Sequence, residues 1–473
     1  MATTRKTFRR WAIGIAALTT LPAWAFNSGS TGVDGPLNPT VSIELLLPPN
    51  GVLNYTSVNI PNGVTVTFKR NATNTPVVML VQGNVTIAGV IDVSGKQAPS
   101  VGPGGDGVLE DDGLPGAGGN GGFDGGAAGM STTNGLGGAG LGPGGGAGAS
   151  SYYGGAGSHG TAGTQPSSTW GQPGAIYGNE FLVPLIGGSG GGGGYPGAVR
   201  GSGGGGGGGA MLIAASGSIS VSPVGKLIAD GASSGIIFQQ SGVRNGYPGG
   251  SGSGGAIRLM TTTLSMAGLL SAAGGRCDCG SIGGLGRIRL EAETFGQLRA
   301  SNPNYTFGAP GSVFTDGQPA LRFVSIGSIT VPASPVGRSD IALPANLPNP
   351  VAVSLATVGV PVGAVISVTA TPDIGVVATT VDSAPTTGTT ANAAASVSIS
   401  IAPGHSVLSA ITSYLVVASL GDSLSRFAQG ERVERVTLSA TLGGGASHAV
   451  LTTTSGKQFD APPAALALLA RAR

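Results

Sequence analysis

Seven consecutive glycines, Gly203 to Gly209, run straight into Ala210, Met211, Leu212 and Ile213. Such a stretch either tethers an ordered domain or packs inside one, and the choice decides whether the chain is beads on a string or one architecture. Glycine loses the most backbone entropy on ordering, yet it alone permits conformations and close approaches that a Cβ forbids. Two later apolar segments are entered in the same way, as "GSGGAIRLM" and "GGLGRIRLE" beside "GGGGGGGAMLIAA". Recurrence at one place in a repeat favours a joint within one architecture, supplying bends that no Cβ would allow.

The repeat itself is visible in four stretches. "VVMLVQGNVTIAGVIDVSG" ends at Gly95, "AMLIAASGSISVSPVGKLIADG" at Gly231, "AIRLMTTTLSMAGLLSAAGG" at Gly275, and the degenerate "RIRLEAETFGQLRAS" at Ser301. Apolar residues alternate with polar or small ones, as strands require. In "IRLEAE", Ile288, Leu290 and Ala292 point one way while Arg289, Glu291 and Glu293 point the other. Short strands joined by one- or two-residue corners suit stacked coils with a shared apolar column. The inward set is Val85, Ile87, Val90, Ile91, Ile219, Val221, Leu227, Ile228, Leu264, Met266, Leu269, Leu270, Ile288 and Leu290.

The fold class that follows is all-β: a parallel β-solenoid (β-helix-like) with large Gly-rich inserts, then a C-terminal β-sandwich. The solenoid takes about residues 26–330, with its largest insert at about 101–209. "VSIELLLP", "YTSVNIP" and "VTVTFKR" read as strands capping its start. The insert lacks a G-x-y register, which excludes collagen. It carries Phe123, Tyr152, Tyr153, Trp170, Ile176, Tyr177, Phe181, Leu182 and Tyr195, for which a pure linker has no use. Ordered packing of extended glycine segments and mobile loops both remain open. From about 331 to 455, Ala, Val, Thr, Ser and Pro replace glycine in alternating runs at sandwich spacing. The tail, about 456–473, reads as a short helix or a frayed end.

Export is written at the start. Arg5, Lys6, Arg9 and Arg10 precede an apolar run from Trp11 to Leu21, and Ala23-Trp24-Ala25 has the A-x-A form of a cleavage site. The run is about half the ~20 residues of a membrane span. Residues 1–25 therefore read as a signal peptide, with a mature chain starting near Phe26 and a secreted, extracellular or bacterial cell-surface location. No transmembrane span follows. Charged residues are only 9% and the net charge is +2, so nothing marks a nucleic-acid or anionic-membrane partner.

Residues with chemistry are few. Cys277 and Cys279 read equally as small turn residues or a strained local disulfide, and two ligands are too few for zinc. His159, His405 and His448 are the three histidines; "GHS" at His405 carries no triad by itself. The densest acidic group is Asp106, Glu110, Asp111 and Asp112 in "GGDGVLEDDG". Carboxylates on a turning backbone make it the metal candidate, for calcium, although Leu109 stands where a calcium-binding repeat would place an aspartate. A solvated acidic loop is the blander expectation, with no cofactor at all. Asp92, Asp230, Glu291 and Glu293 do not recur as the paired carboxylates that polysaccharide cleavage needs.

"NVTIAGVIDVSG" and "GGAIRLMTTTLSMAGLLSAAGG" with "GGLGRIRLEAE" resemble Gly-rich β-solenoid segments of bacterial surface and secreted proteins, some of them adhesin-like. The resemblance spans about residues 60–300 and rests on low-complexity pattern; it implies a cell-surface setting and carries over no catalytic residue. The expectation is a non-catalytic structural or adhesion protein whose partner is a cell-surface or matrix polysaccharide or protein. The alternatives are a carbohydrate-active β-helix enzyme and a self-assembling subunit of an extracellular filament.

Overall fold

The computed structural model describes residues 25–102, 108, 110–130, 135–197, 200–238, 246–277, 279–314, 318–331, 341–344, 346–372, 377–442 and 448–471. Residues 1–24, most of the expected signal peptide, lie outside them. Up to Gly308 every ladder between named strands is parallel. The chain alternates between two sheets. A long sheet holds Val52–Tyr55 with Ser57–Ile60, Val77–Val81 with Val85–Ile87, then Ala210–Val221, Ala256–Met266 and Arg287–Leu298. A short sheet holds Ile43–Leu46, Thr65–Lys69, Val90–Asp92, Lys226–Ile228 and Leu269–Ser271.

Parallel register stacks like on like. Val58, Val85, Ile219 and Leu264 form one column, and Ile60, Ile87, Val221 and Met266 a second. Val66, Ile91, Leu227 and Leu270 form a third on the short sheet, and all three belong to one buried core. The corners between sheets repeat a glycine at Gly89, Gly225 and Gly268. A Cβ on any of them would come under 3.0 Å from backbone of the preceding corner or strand.

One detail departs from the sequence expectation. Val90 and Ile228 are half-buried and Leu269 is 38% exposed, because adjacent strand residues cannot both face inward and Ile91, Leu227 and Leu270 take that side. The early strands expected to cap the stack pair in the same parallel register as the later ones, Ile43 with Val66 and Val52 with Val78.

The glycine segments are ordered, and their hydrogen bonds repeat every three residues. Gly204, Gly207 and Ala210 donate to Gly126, Phe123 and Asn120; Gly205 and Gly208 donate to Gly250 and Ser253; Gly206 and Gly209 donate to Lys96 and Val93. The carbonyls of Gly204 and Gly207 accept from Gly116 and Gly119, those of Gly205 and Gly208 from Gly191 and Gly188, and those of Gly203 and Gly206 from Gly235 and Ala232. Three residues per turn without internal hydrogen bonds is the habit of an extended polyproline-II-type helix. Its backbone groups must then be satisfied sideways. Here six surrounding segments satisfy them.

None of Gly203 to Gly209 has a positive φ. A Cβ on each would nevertheless come under 3.0 Å from a neighbouring backbone carbonyl oxygen. The run is thus part of one architecture: backbone packed too close for a Cβ is present as expected, while the left-handed bends also expected of the joint are not.

The opposite, outer face of the long sheet also departs from expectation. Arg258, Arg289 and Glu291 point away from the core, yet all three are buried. Arg258 meets Glu291 through Nε at 3.1 Å and Nη2 at 3.0 Å, and Arg289 Nε lies 3.4 Å from the same carboxylate. Glu291 also accepts from the Gly311 N–H, while Arg289 reaches the Phe307 carbonyl and lies over the Phe181 ring. Burial pulls the Arg258 guanidinium below its ordinary pKa, with Glu291 acting against it.

Beyond Ala320 the pairing turns antiparallel. Ala320–Ile326, Val351–Val358 and Asn392–Ile399 lie in one sheet; Ile366–Pro372, Ser406–Leu415, Val433–Thr441 and His448–Thr453 lie in another. Both sheets contribute to a second core, with Val353, Leu355, Val368, Leu438 and Leu451, and the helix Pro463–Arg471 adds Leu466 and Leu469. No helix among the described residues is long and apolar enough to cross a membrane.

Candidate binding face

Each glycine segment that enters a long-sheet strand runs toward the sheets, so the segments turn back at the opposite end of the bundle. The residues at those turns come together. Met130 bridges Arg200, Pro196 bridges Gly246, Val101 bridges Ile237, and both Thr164 and Arg276 bridge Ile282. The Tyr195 N–H donates to the Tyr152 carbonyl, and the Tyr247 N–H to the Tyr195 carbonyl. Tyr152 and Tyr247 meet edge to face at 5.0 Å, Tyr153 and Tyr247 at 5.6 Å, and Tyr153 lies 4.3 Å from Trp170.

Segments without side chains cannot close their own end, so aromatic rings serve as a plug. A plug alone would bury its rings. Tyr152 is instead 48% exposed and held at φ 61°, a conformation that costs a non-glycine residue energy. Leu114, Leu136, Ile236 and Phe238 are exposed on the same end. Tyr and Trp supply large contact area with few rotamers to freeze, and Gly and Ser supply adaptable backbone and hydroxyl contacts. That mixture is the composition of binding loops. The arrangement offers exposed aromatic and apolar contact area.

Of the acidic residues singled out in sequence, Asp106 lies outside the described residues. Glu110, Asp111 and Asp112 sit on a turn at this same end. The Asp112 carboxylate accepts from the Gly102 N–H, and its carbonyl accepts from Arg200 Nη1 at 2.6 Å. Among the described residues no three His, Cys, Asp or Glu side chains gather as metal ligands. Cys277 and Cys279 form a disulfide, with Cα atoms 5.2 Å apart, at the adjoining turn.

Asp230 and Asp92 lie close enough to interact. Burial, first, and then Asp92 hold the Asp230 carboxyl above its ordinary pKa, against its hydrogen bonds from the Ser271 hydroxyl and the Ala273 N–H. With those two donors the carboxylate fastens the entry to the bundle. His448 Nε2 lies 2.9 Å from Asp460 and joins two strands.

His159 sits at the bundle end nearest the sheets, wholly buried, with Nδ1 2.9 Å from the Gly254 carbonyl and its ring stacked on Tyr177 at 4.6 Å. Burial, and to a lesser extent Arg287, lowers its pKa from 6.5 to about 4, against the Gly254 hydrogen bond. The neutral ring is favoured by folding. Its contribution is complete above the unfolded pKa, near 6.5, and is lost as pH falls toward 4. The loss reaches the order of 3 kcal/mol once the pH is below both values. Melting temperatures from pH 7 to pH 4 should fall more steeply in the parent than in His159→Gln. Equal slopes would remove His159 as the cause.

The aromatic cluster is the part that sequence reasoning did not assemble. The sequence marks Tyr152, Tyr153 and Trp170 as residues for which a pure linker has no use, leaves the order of the insert open, and gives Tyr247 no such mark. A signal was present: "YYGG", "TWGQ" and "YPG", the last at both Tyr195 and Tyr247, place aromatics where glycine segments begin or end. No protein-family model, no curated protein and no solved structure matches the chain.

Proposed function

We propose that the chain is an exported, non-catalytic binding protein of a cell surface or extracellular matrix. In this reading the two parallel sheets are the walls of a β-solenoid, the antiparallel pair is a β-sandwich, and the glycine bundle presents its outer turns to a polysaccharide or protein partner. The observation that carries it is the aromatic turn cluster with Tyr152 half exposed in a left-handed conformation. The resemblance of the repeats to Gly-rich segments of bacterial surface proteins supports the same setting.

A rigid platform suits this task, since ordering is complete before the partner arrives. The test is binding of the full secreted chain to intact cells and to immobilised cell-surface polysaccharides, parent against Tyr152→Ala with Trp170→Ala. Binding should weaken at least ~10-fold, as for a central aromatic anchor, in a double variant whose circular dichroism and cooperative melting show that it is still folded. Undiminished binding by a folded double variant would sink the reading.

A further inference from the structure

The first described residues form a strap across the outer face of the long sheet. The Phe26 N–H donates to the Glu293 carboxylate on Arg287–Leu298. The Ser28 N–H donates to Ser216 Oγ on Ala210–Val221, and its hydroxyl donates to the Val81 carbonyl on Val77–Val81. The Ser30 hydroxyl donates to the Tyr55 carbonyl, and the Asp34 N–H to the Asn54 carbonyl, on Val52–Tyr55. The strap thus runs from the last long strand to one of the first. Ser28 is 1% exposed, and Phe26 packs on the cluster of Leu80, Leu212 and Met260.

Ala25, just ahead of the strap, is exposed and ends the A-x-A motif. We propose that the Ala25–Phe26 peptide bond is the processing site and that Glu293 is the built-in acceptor for the α-ammonium created there. Water adds across the amide under an external peptidase. Ala25 leaves with the leader as a carboxylate, and the Phe26 nitrogen takes up a proton. Before the cut that nitrogen is neutral and gives one hydrogen bond to Glu293. Afterwards it is a cation beside the same carboxylate, and a charge-assisted hydrogen bond is the stronger kind. A cut two residues later would remove Phe26 from its apolar seat; an earlier one would carry the charge past Glu293. Processing and the fastening of the strap across the stack are then one event. This shares only the export step with the proposed function, and the turn variants do not touch it.

The test uses the full chain produced with its own leader and exported by a bacterial host. Mass spectrometry of the intact product and its N-terminal peptide should place the terminus at Phe26. At neutral pH an amine-reactive ester should label the Phe26 amine at least ~3-fold more slowly in the parent than in Glu293→Gln, because the paired ammonium yields its proton less readily. A chain with one added Ala before Phe26 moves the charge by ~3.5 Å and should label like the Gln variant. A terminus elsewhere, or equal labelling of all three proteins, overturns the assignment.

Discussion

Replacing Gly204 and Gly207 together by alanine should abolish the glycine bundle, at a cost of ~4 kcal/mol or more if overpacking at each site approaches the upper end of its usual range. The new methyl groups would meet the carbonyls of Gly191 and Gly188 under 3.0 Å away. Neither obstacle is a side chain that can swing aside. Both residues lie on a segment hydrogen-bonded to this one through Gly188 and Gly191, so relief means parting segments and leaving backbone donors unsatisfied. Gly296→Ala is the control: its nearest neighbours, the Leu264 carbonyl and the Ser265 side chain, lie 3.5 Å away, and its φ is not positive. There alanine should be neutral or add about 0.4–1 kcal/mol through the unfolded chain. Thermal unfolding and limited proteolysis of the three proteins read the result, with single Gly204→Ala as the milder case. A double variant as stable and as protease-resistant as the parent would make the run a tether after all.

The strands were legible because their rule is carried by side chains. Period two in "IRLEAE" and "GSISV" marks an inward face, and parallel stacking then aligns Val85, Ile219 and Leu264. The bundle was not legible in the same way. Its period is three, and glycine has no side chain with which to print a period. The trace that survives is the scatter of small side chains: Ala117 and Ala127 are exposed at the edge, while Ala149, Ala156, Ser189 and Ser253 are buried between segments. The run with no such side chain, Gly203 to Gly209, has neighbours on all sides. The aromatic cluster was hidden for another reason. Tyr152, Trp170 and Tyr247 are brought together by chain reversals among nearly featureless segments, whose pairing no local pattern states. The outer face of the long sheet misled because alternation tells which side a residue takes, not whether that side is covered. Arg289 and Glu291 are polar and face away from the core, but Phe181, Phe307 and Gly311 close over them.

That covered charge cluster sets the second large effect. Glu291→Gln preserves shape but leaves Arg258 and Arg289 facing each other, both buried, with no countercharge. Breaking a buried pair by removing one partner costs ~3–5 kcal/mol, far more than the pair's net worth, because the remaining charge is stranded. For a unit of this size a loss of that order lowers the melting temperature by ~10 °C. Arg258 is the more affected of the two, since Arg289 keeps the Phe307 carbonyl and the Phe181 ring. Replacing Arg258 and Glu291 together by methionine removes the more affected of the two stranded charges and fills the volume, leaving Arg289 with the Phe307 carbonyl and the Phe181 ring, and should recover part of the loss. Glu431→Gln, which breaks an exposed pair with Lys457, should leave the melting temperature where it was. The double variant separates the two explanations of the cluster. If it melts near the parent, the triad is a packing solution in which charge can be replaced by bulk. If it melts as low as Glu291→Gln, the carboxylate is needed for itself, as the acceptor that holds Gly311, and with it the chain leading to the second core, against the long sheet.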